Sequence, residues 1–267
     1  MSKYNYSPEH NKYLEKIHRD KIKVIATRIS ILIGFIVLWE VAAQLKWVDP
    51  FIASQPSRIV KTLGNLLAGG VLFKHLFTTV AETVIGFTTS TIIGTFIAII
   101  LWWSPFISKV TDPYLVILNS LPKVALGPII LVWVGAGSTA IIVMALFISV
   151  IVTIIGVYSG FKEVDEAKIT LVQSFGAKKW QVLTKVVLPA SFPTIANALK
   201  INVGLSWVGV IMGEFLVSKA GLGYLIVYGS QVFQLDIVMT SVLILSIAAG
   251  IMYQFVAFLE KKFIPYK

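Results

Sequence analysis

The chain has 267 residues, 57% of them hydrophobic and 13% charged, with a mean hydropathy of +0.84 and a formal net charge of +10. A soluble domain carries about 25% charged residues, so the composition excludes that class and implies an integral membrane protein, which the apolar runs taken in order below make all-α. Cysteine is absent, which excludes a disulfide framework, a thiol nucleophile and a Cys-ligated metal.

Residues 1–28 form a basic tail with seven Lys/Arg against three acids. It is too long and too charged before the first apolar run to read as a cleaved signal peptide. A spanning helix needs ~20 mostly apolar residues, and Ile29–Trp47 is the first candidate. Residues 48–82 read as an external amphipathic segment with turns at Asp49-Pro50 and Gln55-Pro56. Within it, Arg58–Leu67 predicts a short helix with Ile59, Leu63 and Leu66 on one face, closed by Gly69-Gly70. The later spans are Thr83–Trp103, Pro113–Val134, Ser138–Val157, Ile195–Val217 and Ile237–Leu259, which makes six.

Six spans place both termini on one side, together with residues 104–112 and 158–194. Residues 158–193 hold five lysines against three acids, and the tail 260–267 holds three more. With the N-terminal tail these segments carry 15 of the 23 basic residues. The positive-inside rule assigns them, and both termini, to the cytoplasm. The net charge is therefore a topology signal, and no nucleic-acid partner is implied.

The 158–194 loop is too short to bury a core of its own, yet it has helical periodicity. Val164, Ala167, Leu171, Val172 and Phe175 fall on one face. Lys162, Glu163, Asp165, Glu166, Lys168 and Gln173 cover the rest, with Ile169 out of pattern. Gly176 permits a bend, Lys179–Val187 predicts a second short helix, and Leu188-Pro189 with Pro193 predict its stop. Two readings follow: an amphipathic pair lying on lipid headgroups, or a docking element for a cytoplasmic motor.

Charge at membrane depth costs about 2.5–3.5 kcal/mol on insertion scales, so charged residues in the spans need reasons. Glu40 lies in the first span and Lys200 is close enough to the cytoplasmic end to snorkel. Lys123 falls in the middle of the third span, flanked by Pro122, Gly127 and Pro128, which interrupt backbone hydrogen bonding there. A lysine at such a break either attracts an anion or pairs with a carboxylate, for which Glu214 is available. Asn119, Asn197 and Asn202 predict interhelical hydrogen bonds, and Gly86, Gly94, Gly204, Gly209 and Gly213 predict close helix packing. His10, His18 and His75 lie in polar segments without metal-ligand spacing, so no metal site and no catalytic residue is predicted. No G-x-x-x-x-G-K-[ST] loop is present, so any ATP hydrolysis belongs to another chain.

The Gly176–x12–Pro189 spacing, with Leu188 before the proline, resembles the cytoplasmic loop of permease subunits of binding-protein-dependent ABC importers. That family's pattern is Glu-Ala-Ala-x3-Gly-x12-Pro. Thr170-Leu171-Val172 stand at the Glu-Ala-Ala positions here, and Glu166-Ala167 come four residues too early. Further stretches are similar to the nitrate/sulfonate/taurine/bicarbonate branch. They are Gln55-Pro56-Ser57 to Gly69-Gly70 with His75 and Thr78-Thr79, then Leu121-Pro122-Lys123-Val124-Ala125-Leu126-Gly127-Pro128 with Trp133-Val134-Gly135. Trp207, Glu214 and Gly221-Leu222-Gly223-Tyr224 complete the series.

The resemblance implies a five-helix type I importer core, residues 83–259, plus one additional N-terminal helix, residues 29–47. It implies a multi-pass subunit of the cell (inner) membrane that binds no cofactor itself. Two cytoplasmic ABC ATPase subunits would hold ATP and Mg, coupled through Val164, Ala167, Leu171, Val172, Phe175, Gly176, Ala177, Leu188 and Pro189. A second copy would complete a pathway or gate involving Asn119, Pro122, Lys123, Pro128 and Glu214. Gly221, Leu222, Gly223 and Tyr224 read either as an outer turn or as a contact for an external solute-binding protein. The implied cargo is a small anionic solute such as a sulfonate, taurine or nitrate, with a small heterocycle also fitting the branch. A rival reading is a stand-alone secondary transporter or channel. It calls for inverted repeats and paired acids, whereas only Glu40 and Glu214 read as deep in spans.

Overall fold

The computed structural model describes residues 8–263, and every regular element among them is helical. Residues 1–7 and 264–267, with Lys3 and Lys267 of the charge argument, lie outside the described residues. The contacts divide the chain into residues 1–63 and residues 64–267.

In the first unit, α1 (Pro8–Gln44) is far longer than its apolar run, because the polar stretch before Ile29 is also helical. Its apolar window is wholly unburied, as expected of a helix solvated by lipid. Asp49 caps the short helix α2 (Pro50–Ala53), accepting the Phe51 N–H at 2.9 Å. Glu40 is an internal cap: it accepts the Ser57 N–H (3.0 Å) and hydroxyl (2.9 Å) at the start of α3 (Pro56–Ala68). The carboxylate thereby satisfies one of the four N–H groups that a helix start leaves unpaired.

The boundary falls inside α3; beyond it, in the second unit, Gly70 adopts φ +68° and leads into α4 (Val71–Trp103). This helix begins at Val71 rather than at Thr83, so His75, Thr79 and Glu82, read from sequence as external, are helical and buried. The expected third span is broken. Helix α5 (Pro105–Ser120) stops at Leu121, which is extended as a residue before proline must be. A 3-10 turn at Lys123–Leu126 then leads into α6 (Gly127–Val134), and the two halves bend by 86°. Next come α7 (Ser138–Lys162), α8 (Glu166–Ser174) and α9 (Lys179–Val182). After a π turn at Leu183–Val187 come α10 (Leu188–Val217), α11 (Leu222–Gln231) and α12 (Leu235–Phe263). Five helical stretches are long and apolar enough to span a bilayer, and the bent α5–α6 pair makes six.

Leu188-Pro189 and Pro193 do not stop the helix as the sequence predicts. The π turn runs directly into α10, and the Leu188 N–H reaches back to the Leu183 carbonyl. The wider turn lets the chain pass Pro189, which lacks an N–H, without ending the helix.

Helix α7 is the centre of this unit, packed between α4 and α10. Small residues set the spacing: Gly86 and Gly94 face Ala145 and Thr153, while Gly156 faces Ala198. Gly209 and Gly213 lie against the backbone of Ala145 and Ile141. Gly204, read from sequence as equivalent, meets nothing within 4 Å. Buried hydroxyls bond back to their own helix, as Thr83 does to the Thr79 carbonyl (2.7 Å) and Thr153 to that of Ser149 (3.0 Å). Asn202 makes the expected interhelical bonds, to Ser90 (3.2 Å) and Thr91 (3.3 Å) of α4. Asn119 and Asn197 do not; each accepts from a lysine on its own stretch of chain. Lys200 does more than snorkel, since it pairs with Glu260 of α12 at 2.5 Å.

Candidate functional site

The bundle has two ends of distinct chemistry. At one, the lysine-bearing loop folds back on the membrane helices. Asp165 caps α8 by accepting the Ala167 N–H at 2.9 Å. Gly176, at φ +81°, closes the helix: its N–H bonds the Gln173 carbonyl (2.9 Å) and the Ala177 N–H bonds that of Val172 (3.1 Å). This pair of bonds is a Schellman motif, which satisfies carbonyls at a helix end and favours glycine at the left-handed position.

The structure divides the single apolar face read from sequence. Val164 is buried with Val182, Leu183 and Val187 in a cluster that includes Ala98 of α4 and Val157 and Phe161 of α7. Val172, Ala177 and Leu188 pack against it, and so does Ile169, the residue that seemed out of pattern. Ala167, Leu171 and Phe175 point the other way and are exposed, as is Pro189. Leu171 is 57% and Phe175 83% accessible, and Trp180 on the next helix is 60% accessible. The loop thus has an inner apolar seat and a separate outer apolar rim.

At the opposite end, α4, α10 and α11 meet around a turn. The N–H groups of Gly221, Leu222 and Gly223 are each taken by a side chain. His75 Nδ1 accepts the first (2.9 Å), Thr79 Oγ1 the second (2.7 Å) and Glu214 Oε2 the third (2.6 Å). These are the N–H groups that the start of α11 leaves without helical partners. The His75 and Tyr224 rings stack at 5.6 Å with 8° between planes. Gly221, Leu222 and Gly223 are buried and Tyr224 is half-buried.

Glu82 escaped the sequence reading because the helix was expected to begin after it. It is 4% exposed, its polar neighbours are Ser138 and Glu214, and neither of its oxygens makes a well-formed hydrogen bond. Glu214, 1% exposed, does not pair with Lys123 as one sequence reading had it. The Lys123 ammonium instead donates to the Asn119 carbonyl (3.1 Å) and side-chain oxygen (3.4 Å) within the bent segment. Asn119, Pro122 and Pro128 are exposed beside that bend. A cavity of about 330 Å³ lies at this end, lined by Thr78, Gly137, Ser138, Ile141, Ser218 and Lys219 among others. Among the described residues no three His, Asp or Glu side chains converge as metal ligands.

Comparison with known proteins agrees with this architecture. Residues 90–265 match the family described as binding-protein-dependent transport system inner membrane component. A putative aliphatic sulfonates transport permease protein of Bacillus subtilis (strain 168) is 28% identical over 233 residues, 87% of this chain and 84% of the relative. The formylaminopyrimidine transport permease protein ThiX of Halalkalibacterium halodurans is 27% identical over 188 residues, 70% of this chain and 74% of the relative. A chain of the inward-facing MetNI methionine ABC transporter shares the fold, with TM-score 0.64 at 20% identity, covering 73% of this chain and 97% of that one. The matched region runs from mid-α4 through the loop, the glycine turn and α12, so this chain belongs to the binding-protein-dependent transport inner membrane component family, as a multi-pass permease subunit of an ABC importer.

Proposed function

We propose that this permease is driven through the α8–α9 turn by two cytoplasmic ATPase subunits and carries a small anionic solute, with a sulfonate as the first choice. The lysines of the loop support a cytoplasmic position for it, and in that orientation the Gly221 turn and the 330 Å³ cavity face the outer side. A solute-binding protein delivers cargo at that side, and a second copy of the chain completes the pathway. Lys123 at the bend and Lys219 at the outer cavity supply positive charge for an anion. The sulfonate permease of Bacillus subtilis is consistent with this cargo, and a formylaminopyrimidine is the alternative that the second relative suggests.

The observation that carries the reading is the exposed rim Ala167, Leu171, Phe175 and Trp180 on a loop whose inner face is fixed. Large apolar side chains facing cytoplasmic water are the mark of a surface made for a partner. ATP binding would draw two such loops together, and the bundle would switch between inward- and outward-facing states, a balance set by ATP on one side and the loaded binding protein on the other.

The test is reconstitution with the ATPase subunits and measurement of association, hydrolysis and uptake. Phe175→Ala and Leu171→Ala each weaken ATPase association by roughly 1.5–3 kcal/mol, the value of one buried apolar side chain. Unchanged association and uptake in the double variant would remove the rim from the mechanism. Uptake by the wild-type chain with no ATPase present would hand the function to the stand-alone transporter reading.

A further inference from the structure

We infer that Lys179 is a positioning residue that ties the α8–α9 turn to the inner end of α4, so that turn and helix move as one piece. The inference rests on the reading of this turn as the ATPase-driven element.

Lys178 and Lys179 open α9, where cations oppose the positive end of the helix dipole. Their placement therefore has no local helical reason. The cap of α9 is built without their side chains, from Gln181 Oε1, which accepts the Lys178 backbone N–H at 2.8 Å. The Lys179 side chain instead leaves its own helix. Its ammonium donates to the Trp103 carbonyl at 2.5 Å, across 76 positions of sequence. Trp103 is the last residue of α4, so its carbonyl has no partner within the helix and lies at the negative end of the α4 dipole. The same ammonium lies 5.9 Å from the Trp102 ring centroid and 5.3 Å from that of Trp103, both within cation–π range. The two rings meet edge-on at 6.3 Å. One cation thus answers a helix end and two aromatic faces.

The tie has a firm base. Trp102 packs against the apolar cluster that holds Val182, Leu183 and Val187 to Ala98, Val157 and Phe161. Removing the ammonium leaves this seat in place, so the turn still folds and still presents its outer rim. What is lost is the grip on α4. Helix α4 is 33 residues long, about 50 Å at 1.5 Å per residue. Its other end carries His75 and Thr79, which hold the Gly221 and Leu222 N–H groups. A displacement of the turn therefore reaches the outer clasp through α4 as well as along the continuous α10.

The chain has no cysteine, so Lys179→Cys introduces the permease's single thiol. In the complete reconstituted importer, with sulfonate as cargo, Lys179→Cys is expected to bind the ATPase subunits and hydrolyse ATP as the wild type does. Import per ATP falls about five-fold, the scale of one lost cation–π and carbonyl tie. Aminoethyl methanethiosulfonate, which rebuilds an ammonium at nearly lysine length, restores the ratio. The neutral ethyl methanethiosulfonate does not, and the wild-type complex given the same reagents controls for thiols in the other subunits. Full import per ATP in the unmodified variant, or equal rescue by the neutral reagent, overturns the tie. Loss of ATPase association in the variant makes Lys179 a docking contact and overturns it as well. Failure of the underlying coupling reading shows separately, in a wild-type complex that imports without hydrolysis.

Discussion

Gly221 has room for a hydrogen and nothing larger. Its φ is +119°, and a methyl group there would lie 2.3 Å from the Glu214 carboxyl carbon. The left-handed backbone alone costs an alanine about 1–2 kcal/mol, and the clash adds to it. Gly204 is the opposite case: it is helical, exposed and meets nothing within 4 Å. Alanine there regains about 0.5–1 kcal/mol of helix propensity. Gly221→Ala is expected to lower the thermal midpoint of the detergent-solubilised protein and Gly204→Ala to leave it unchanged or raise it. A Gly221→Ala protein melting with the wild type would mean that the clasp of His75, Thr79 and Glu214 does not hold the turn. From sequence, Gly204 reads as one of the close-packing glycines and Gly221 as part of an outer turn. The four-residue run Gly221–Tyr224 was legible as special, but whether it was exposed was not, because burial there comes from side chains of α4, whose start was misplaced.

At the scale of elements, α8 has nine residues, too few to hold a helix in water without help. Three local devices supply it: the Asp165 cap, the Gly176 closure and the packing of Ile169 and Val172. Loss of an N-cap costs about 1 kcal/mol. Asp165→Ala should therefore speed amide exchange over residues 167–172 about five-fold, while Asp165→Ser, which keeps an acceptor, should not. Equal exchange in the two variants would show that the apolar seat alone holds the helix. The helix, its glycine stop and its successor were all legible, because caps and periodicity are local signals. Which half of the apolar face turns inward was not, because that depends on Ala98, Val157 and Phe161, far away in sequence. Two proline signals and one hydropathy signal also misled for physical reasons. Pro189 follows a π turn, a device that leaves no local trace in composition, and Pro193 lies inside the continuous helix α10. Lys74, His75, Thr78, Thr79 and Glu82 made the start of α4 look like a loop, although three of them are polar groups buried against other helices.

At the scale of the whole bundle, Ala145 of α7 meets Gly86 of α4 on one side and Gly209 of α10 on the other. A methyl group on Gly86 would meet the Ala145 Cβ at 2.8 Å, whereas one on Gly209 would meet the Ala145 Cα at 2.5 Å, its backbone nitrogen at 3.1 Å and its Cβ at 3.2 Å. The first collision is with a side chain and the second chiefly with main chain. Without a hydrophobic force between helices in lipid, such close backbone approach is a chief source of association, and packed interiors yield little to an added methyl, at about 1–3 kcal/mol. Gly86→Ala and Gly209→Ala should each destabilise the bundle by that amount. The two should differ in repair. Ala145→Gly deletes the Cβ that Gly86→Ala strikes, so that double variant should recover stability beyond the sum of its single changes, a coupling readable in a double-mutant cycle. Ala145→Gly removes only the lesser contact of Gly209→Ala, the Cβ at 3.2 Å, and leaves the Cα and nitrogen it strikes harder, so that pair should couple much less. Midpoints of thermal unfolding in one detergent measure all five proteins against the wild type. Equal coupling in both pairs would mean that α4 and α10 approach α7 in the same way, against the geometry that separates a side-chain contact from a main-chain one.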